Sequence, residues 1–418
     1  MSEGAKSESV RARVSEIASA GSGGLSNVQL ATMAVAAAVT AANLYYCQPL
    51  LSQIGSSLHM TARETADIPM LTQVGYALGL LFFAPLGDMV ERRGLATTLL
   101  LIVTVSLVGT ALAPVAWVLL ATSLITGIFS VVPQVMAPMA AALSKPEEQG
   151  RAVGIVMGGM LIGILLARTI AGFVGTWFGW RAMYAVAAAL MIAMAVILRA
   201  MLPVSRPNAR IRYRDLLSSL IPLARKLPAL RQSAIMSGFA FGAFSAYWTT
   251  LVFFLEKPPY HYGAQMAGLL GLAGVAGALA APAVGWLSDR GYPRLASGFA
   301  LLIGMIAFGL LWTIGGTIAG LAISGIVLDL GTQANLVTNQ TRIYRLIPEA
   351  RNRINTVFMV TYFVGGALGT FLAGFAWSLW QWAGVCGLGA ALFGAALIIW
   401  AVGSWEIAEA GGQGAPAS

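Results

Sequence analysis

Long uncharged runs alternate with short clusters of Arg, Lys, Asp and Glu along nearly the whole chain. Residues 28–51 and 68–87 are uncharged and long enough to cross the hydrocarbon core, which takes about 20 mostly apolar residues in a helix. Residues 94–144 hold 51 positions without a charge, the length of two spans. Ala113-Pro114 marks the turn between them, because proline disfavours helix at the residue before it. The next run, from residue 152, is broken only by Arg168, and Arg181 opens a sixth span. The pattern then repeats. Residues 232–255 and 264–288 each predict one span, 295–341 a hairpin interrupted only by Asp329, and 354–405 an uncharged hairpin. The pattern predicts an all-α membrane protein of twelve transmembrane helices. Its parts are a tail (1–27), a six-helix bundle (28–203), a basic linker (204–231), a second six-helix bundle (232–405) and a tail (406–418).

Composition agrees. The chain is 58% hydrophobic and 10% charged, against about 25% charged in soluble proteins, which excludes a soluble enzyme or nucleic-acid reader. The net charge of +9 reports topology. On the twelve-span reading, 21 of the 25 Lys and Arg fall on one face. Positive loops stay cytoplasmic, so both termini are expected inside. The polar first 27 residues lack the apolar core of a secretory signal and read as a tail. Within the linker, Ile211, Leu216, Leu217, Leu220 and Leu223 recur at three and four spacings, so part of it is either an amphipathic helix on the inner leaflet or a solvated connection. Cys47 and Cys386 lie in apolar runs and read as small buried hydrophobes.

The two halves carry matching loops. Ala84-Pro-Leu-Gly-Asp88-Met-Val-Glu-Arg92-Arg93 follows span two, and Gly285-Trp-Leu-Ser-Asp289-Arg290-Gly-Tyr-Pro-Arg294 follows span eight. This pair resembles the G-x-x-x-D-R-x-G-R-R loop of the major facilitator superfamily. The first copy departs from it at Ala84, Met89 and Glu91. Asn43-Leu-Tyr-Tyr-Cys-Gln-Pro-Leu-Leu51, Thr72-Gln-Val-Gly-Tyr-Ala-Leu-Gly79 and Asn352-Arg-Ile-Asn-Thr356 are similar to a bacterial branch near the drug/proton antiporters. The resemblance implies two pseudo-symmetric bundles, with spans one, four, seven and ten around a central path and spans two, five, eight and eleven at the seam. Asp88, Arg92, Arg93, Asp289, Arg290 and Arg294 would then hold a cytoplasmic gate. Small residues four apart occur in all four seam spans (Gly75 and Gly79; Gly154 and Gly158; Gly159 and Gly163; Gly277 and Ala281; Gly365 and Gly369), and such spacing allows close helix crossing.

Ionisable groups inside a bilayer are costly unless paired or wet, and so mark function. Asp329 in span ten and Arg168 in span five are the two clear ones. At 1.5 Å per residue from the inner ends they lie roughly 20 and 25 Å deep, within reach of each other. Making and breaking such a pair would switch proton affinity; a permanent structural pair is the alternative. Span four has Ser123 and Thr126 where antiporters of this branch carry arginine and glutamine. Neutral polar and aromatic groups expected to line the cavity are Asn43, Tyr46, Gln48, Gln73, Tyr76, Gln134, Tyr247, Trp248, Gln333, Asn339 and Tyr362. For each, interhelical bonding without solute contact is the competing reading.

No GxxxxGK[ST], HExxH or GxSxG occurs, so nothing points to ATP hydrolysis, metal or hydrolase chemistry. The expectation is a non-enzymatic, monomeric secondary transporter, without cofactor and with protons as the coupling ion, that exports a small organic solute. Uptake or facilitated diffusion of a metabolite such as an organic acid or amino acid is the alternative, and a membrane receptor without transport a remote one.

Overall fold

A computed structural model describes residues 25–205, 213–274, 277, 290, 292–347 and 350–403. The described residues form helices and turns, with no strand among them. Ten helical stretches are long and apolar enough to cross a membrane. One of these, Arg351–Val402, is two helices meeting at Gln381, whose φ of 53 and ψ of −141 reverse the chain in a single residue. Ala264–Gly274 is a shorter apolar helix. These elements are consistent with twelve crossings.

Helix starts follow local chemistry. Thr61 and Glu64 form a reciprocal cap on Ala62–Phe82, which satisfies two otherwise unpaired backbone donors. Glu91, a departure from the loop pattern, caps Arg92–Ala111 by accepting from the backbone N–H of Arg93 at 2.9 Å and Gly94 at 2.6 Å.

Proline shapes the spans nearest the centre. Span one runs through Asn27–Ala42 and Cys47–Leu58. Pro49 has no N–H to give the carbonyl of Tyr45, which accepts instead from Gln48 at 3.2 Å. The preceding turn tightens, with Leu44 and Tyr45 bonding three residues back. In span four, Pro133 similarly follows the break between Ala116–Phe129 and Val132–Leu143.

Gly75 and Gly79, Gly159 and Gly163, Gly277, and Gly365 and Gly369 pack inside each half, which corrects the expectation that they mark the seam; Gly154 and Gly158 meet no atom within 4 Å, and Ala281 lies outside the described residues. A Cβ on Gly75 or Gly79 would run into the span-four backbone at Leu124 or Ile128, and one on Gly163 into the backbone of Ala38 in span one. In the other half, Gly277 meets Ile326 and Leu330 of span ten, while Gly365 and Gly369 meet Gly238 and Gly242 of span seven. Span two thus packs on four as eight packs on ten, and five on one as eleven on seven. This is the internal repeat seen as contacts. Spacing shows that a face is narrow, but one residue of shift turns it by about 100°, so spacing does not name the partner.

The halves meet through other residues. Gly172 and Gly268 bring spans five and eight together, and Gly374 lies against Arg63 and Ala66 of span two. The linker helix Tyr213–Lys226 is docked: Tyr213 donates to the Phe82 carbonyl at 2.8 Å, and Leu223 joins a cluster with Ile343, Ile354 and Phe358. Both cysteines are free and buried.

Candidate functional site

The tightened turn of span one places Tyr45 and Gln48 against Arg168 of span five. Arg168 is 1% exposed. Its Nε donates to Gln48 Oε1 at 2.6 Å, and its guanidinium carbon lies 4.2 Å from the Trp248 ring, 4.9 Å from Tyr45 and 5.5 Å from Phe244. Trp248 and Phe244 belong to span seven, so this side chain reaches across the seam. Just outside it, the Thr169 hydroxyl donates to the Gly268 carbonyl at 2.8 Å, closing the seam toward the outer end.

Asp329 is also 1% exposed and lies against span eight. A Cβ on Gly274 would be 2.6 Å from Asp329 Oδ2, and one on Gly277 would be 3.0 Å from Asp329 Cβ. The two charges interact electrostatically, but among the described residues no carboxylate lies within 4.0 Å of Arg168. Arg168 Nη2 and Asp329 Oδ2 are both buried without a hydrogen-bond partner. In this conformation the acid and the base are neighbours and not an ion pair.

Other sites take up distinct positions. Gln73 crosses the seam, donating to Ser245 at 3.2 Å and accepting from Thr370 at 3.4 Å. Tyr76 packs on Phe363 with ring centroids 4.5 Å apart and lies beside Gln134. Phe241 stacks on Tyr362 at 4.1 Å, and Tyr247 sits edge-on to Trp248. Asn43 donates to Met191 Sδ at 3.4 Å while its Oδ1 is unpartnered. Tyr46 is buried, whereas Gln134 and Gln333 are half-buried. Asn339 turns away from the path: it donates to the Asn335 side chain at 2.8 Å and to Ser297 in span nine at 3.4 Å. Its amide is used in holding spans nine and ten together, the competing reading given above. Ser123 bonds the carbonyl of Leu119 at 2.8 Å.

At the inner end, Asp88 joins the halves. It accepts from Arg92 at 3.4 Å and from Asn352 of span eleven at 3.3 Å. Arg93 instead donates to the Leu202 carbonyl at 3.0 Å, tying span three to span six within one half, because its helix register points it away from the seam. Arg294 lies over the Trp400 ring at 5.4 Å, and Arg290 is exposed. Asp289 falls outside the described residues.

At the outer end, the Ser52 hydroxyl donates to the Glu256 carboxylate and Arg63 covers the Phe375 ring at 3.8 Å, both between halves. Partial burial raises the Glu256 pKa, opposed by the Ser52 bond. Glu256, Phe244 and the span-eight glycines Gly268, Gly271 and Gly274 were not singled out from the sequence. An aromatic stripe at Phe241, Phe244 and Trp248 was available as a signal for the second. A carboxylate one residue past a span gave no such warning.

Comparison with known proteins follows this geometry. The sequence model of the Major Facilitator Superfamily matches residues 33–332. The chain is 39% identical to the uncharacterized transporter YgaY of Escherichia coli O157:H7 over 377 residues, covering 90% of this chain and 95% of that one. It is 33% identical to the probable transporter SCO4007 of Streptomyces coelicolor, covering 88% and 86%. The fold matches a bacterial homologue of the human lysosomal transporter Spinster, solved inward-facing and unoccupied, with a TM-score of 0.71 at 15% identity over 90% of this chain and 94% of that one. A multi-pass helical architecture, the match of a family model over most of the chain and bacterial transporter relatives place it in the inner membrane, and the chain belongs to the major facilitator superfamily.

Proposed function

We propose that this transporter couples export of a small organic solute to inward proton movement, with Asp329 as the proton-carrying group and Arg168 as its electrostatic partner. One observation carries the reading: a carboxylate and a guanidinium, each buried with an unsatisfied atom, lie on opposite halves beside the seam. Burial of an unpaired charge is strongly unfavourable, and a static structural role would be better served by a closed pair. Both side chains are 1% exposed here, so proton exchange requires the halves to move and admit water. Approach of Arg168 favours the ionised acid, and separation in an apolar setting favours the protonated one. Alternating movement of the halves thus binds and releases the proton on different sides.

The test uses proteoliposomes with a pH-sensitive dye inside and a solute found by thermal-shift screening in lipid nanodiscs. The wild-type chain moves protons when that solute is added. Asp329→Asn loses proton movement while retaining passive exchange of the solute. Unchanged proton-driven transport by Asp329→Asn would remove the basis of the reading. Vesicles with the gradient imposed in either orientation give the direction.

A further inference from the structure

What Arg168 holds goes one step past this transport reading and rests on it. A guanidinium presents five N–H donors and keeps its charge. Among the described residues, Nε is the one nitrogen of Arg168 with a hydrogen bond, to Gln48, and Nη2 is buried with none. The rings of Trp248, Tyr45 and Phe244 attract the charge, yet no hydrogen bond joins any of these side chains to the free donors. A buried, charged donor left open in this way is costly and marks a place where an acceptor belongs.

The surroundings describe that acceptor. Gly271 of span eight lacks the Cβ that would stand 3.1 Å from Arg168 Cβ and 3.6 Å from its Cδ, so the flank of the arginine is clear of side chain. The closed contact of Thr169 with Gly268 covers the site on the outer side. One positive charge matches a monoanion, whereas a phosphate dianion would leave charge uncompensated among aromatic rings. The planar fork of Arg suits a carboxylate, which can accept two bonds at once. Trp248 Nε1 is buried without a partner and is a second donor within the same cluster.

We propose that Arg168 is the recognition point for a solute carrying one carboxylate, whose apolar body lies among Tyr45, Phe244 and Trp248. The rings come from both halves, so an occupant touches spans one, five and seven together.

The experiment measures equilibrium binding without any gradient. Acetate, benzoate and indole-3-carboxylate are titrated against the full chain in nanodiscs, each beside its neutral amide, with the melting temperature as readout. At least one carboxylate is expected to give a saturable upward shift, and its amide to bind roughly 30-fold or more weakly, the loss expected when one partner of a buried hydrogen-bonded charge pair is removed. Arg168→Gln should abolish the preference for the acid. Because acid and amide are compared on the unaltered protein, the result does not depend on the variant folding. Equal binding of acid and amide, or no response to any of the three acids, overturns the proposal. Proton movement in liposomes without carboxylate selectivity would overturn it and leave the transport reading standing. Selective carboxylate binding without proton movement would uphold it and count against proton coupling.

Discussion

Two glycines three residues apart on span eight separate the positioning of Asp329 from the packing of the bundle. In Gly274→Ala, the added methyl would sit 2.6 Å from Asp329 Oδ2, 3.0 Å from its Cγ and 3.3 Å from its Oδ1. That is about 0.8 Å inside ordinary contact, and every atom met is the end of a short side chain. The carboxylate has to rotate away, at a cost of about 0.5–1.5 kcal/mol for leaving its rotamer. In Gly277→Ala, the methyl meets the backbone of Ile326 and lies 2.8 Å from the nitrogen of Leu330. Two helices must then separate, and overpacking of this kind costs about 1–3 kcal/mol or more. The expected outcome is a dissociation of effects. Gly274→Ala melts close to the wild type in nanodiscs but loses proton-coupled transport by about tenfold, whereas Gly277→Ala is lost from the folded pool on size-exclusion chromatography. A Gly274→Ala protein with wild-type transport and wild-type pH dependence would refute the placement of Asp329 in the cycle. A fully stable Gly277→Ala would refute the close crossing of spans eight and ten.

Further outcomes follow from the same contacts. Gly163→Ala and Gly369→Ala, which occupy equivalent positions in the two halves and face backbone, should each lower the melting temperature. Gly387→Ala, with no atom within 4 Å, should be neutral or gain up to about 1 kcal/mol of helix propensity. Asn352→Ala removes the bond to Asp88 and should lengthen the distance between spin labels on the inner ends of spans two and eleven, with the outer ends unchanged. For Glu256, partial burial in the closed arrangement raises the carboxyl pKa against the opposing Ser52 bond, so this form binds a proton more tightly than an opened one in water. Acidifying the outer medium should therefore favour closure of spans one and seven, seen as a shorter outer label distance, and Glu256→Gln should remove that pH response.

The spans were legible because the bilayer imposes one severe rule, that charge stays at the ends, and residues 94–144 and 354–405 obey it without exception. Glu91 illustrates where pattern matching stops: read as a mismatch, it caps a helix. Proline gave local breaks, but the tightened turn at Tyr45 comes from a missing N–H four residues away, and its effect on side-chain direction needs three dimensions. Charge in the membrane drew attention to Arg168 and Asp329. Their relation was not legible, because the aromatic rings on Arg168 and the glycines beside Asp329 come from helices remote in sequence. Asn339 shows the converse, since a polar residue at the right helical spacing turned out to serve its neighbours.

The tightest backbone approaches fall within each half, while the junction between halves adds the crossing at Gly172 and Gly268 to side chains such as Gln73, Tyr76 and Arg63. Each half is therefore its own source of cohesion. Two separate polypeptides, divided within the linker ahead of Tyr213 and produced together in one cell, have what they need to reassemble into a working pair.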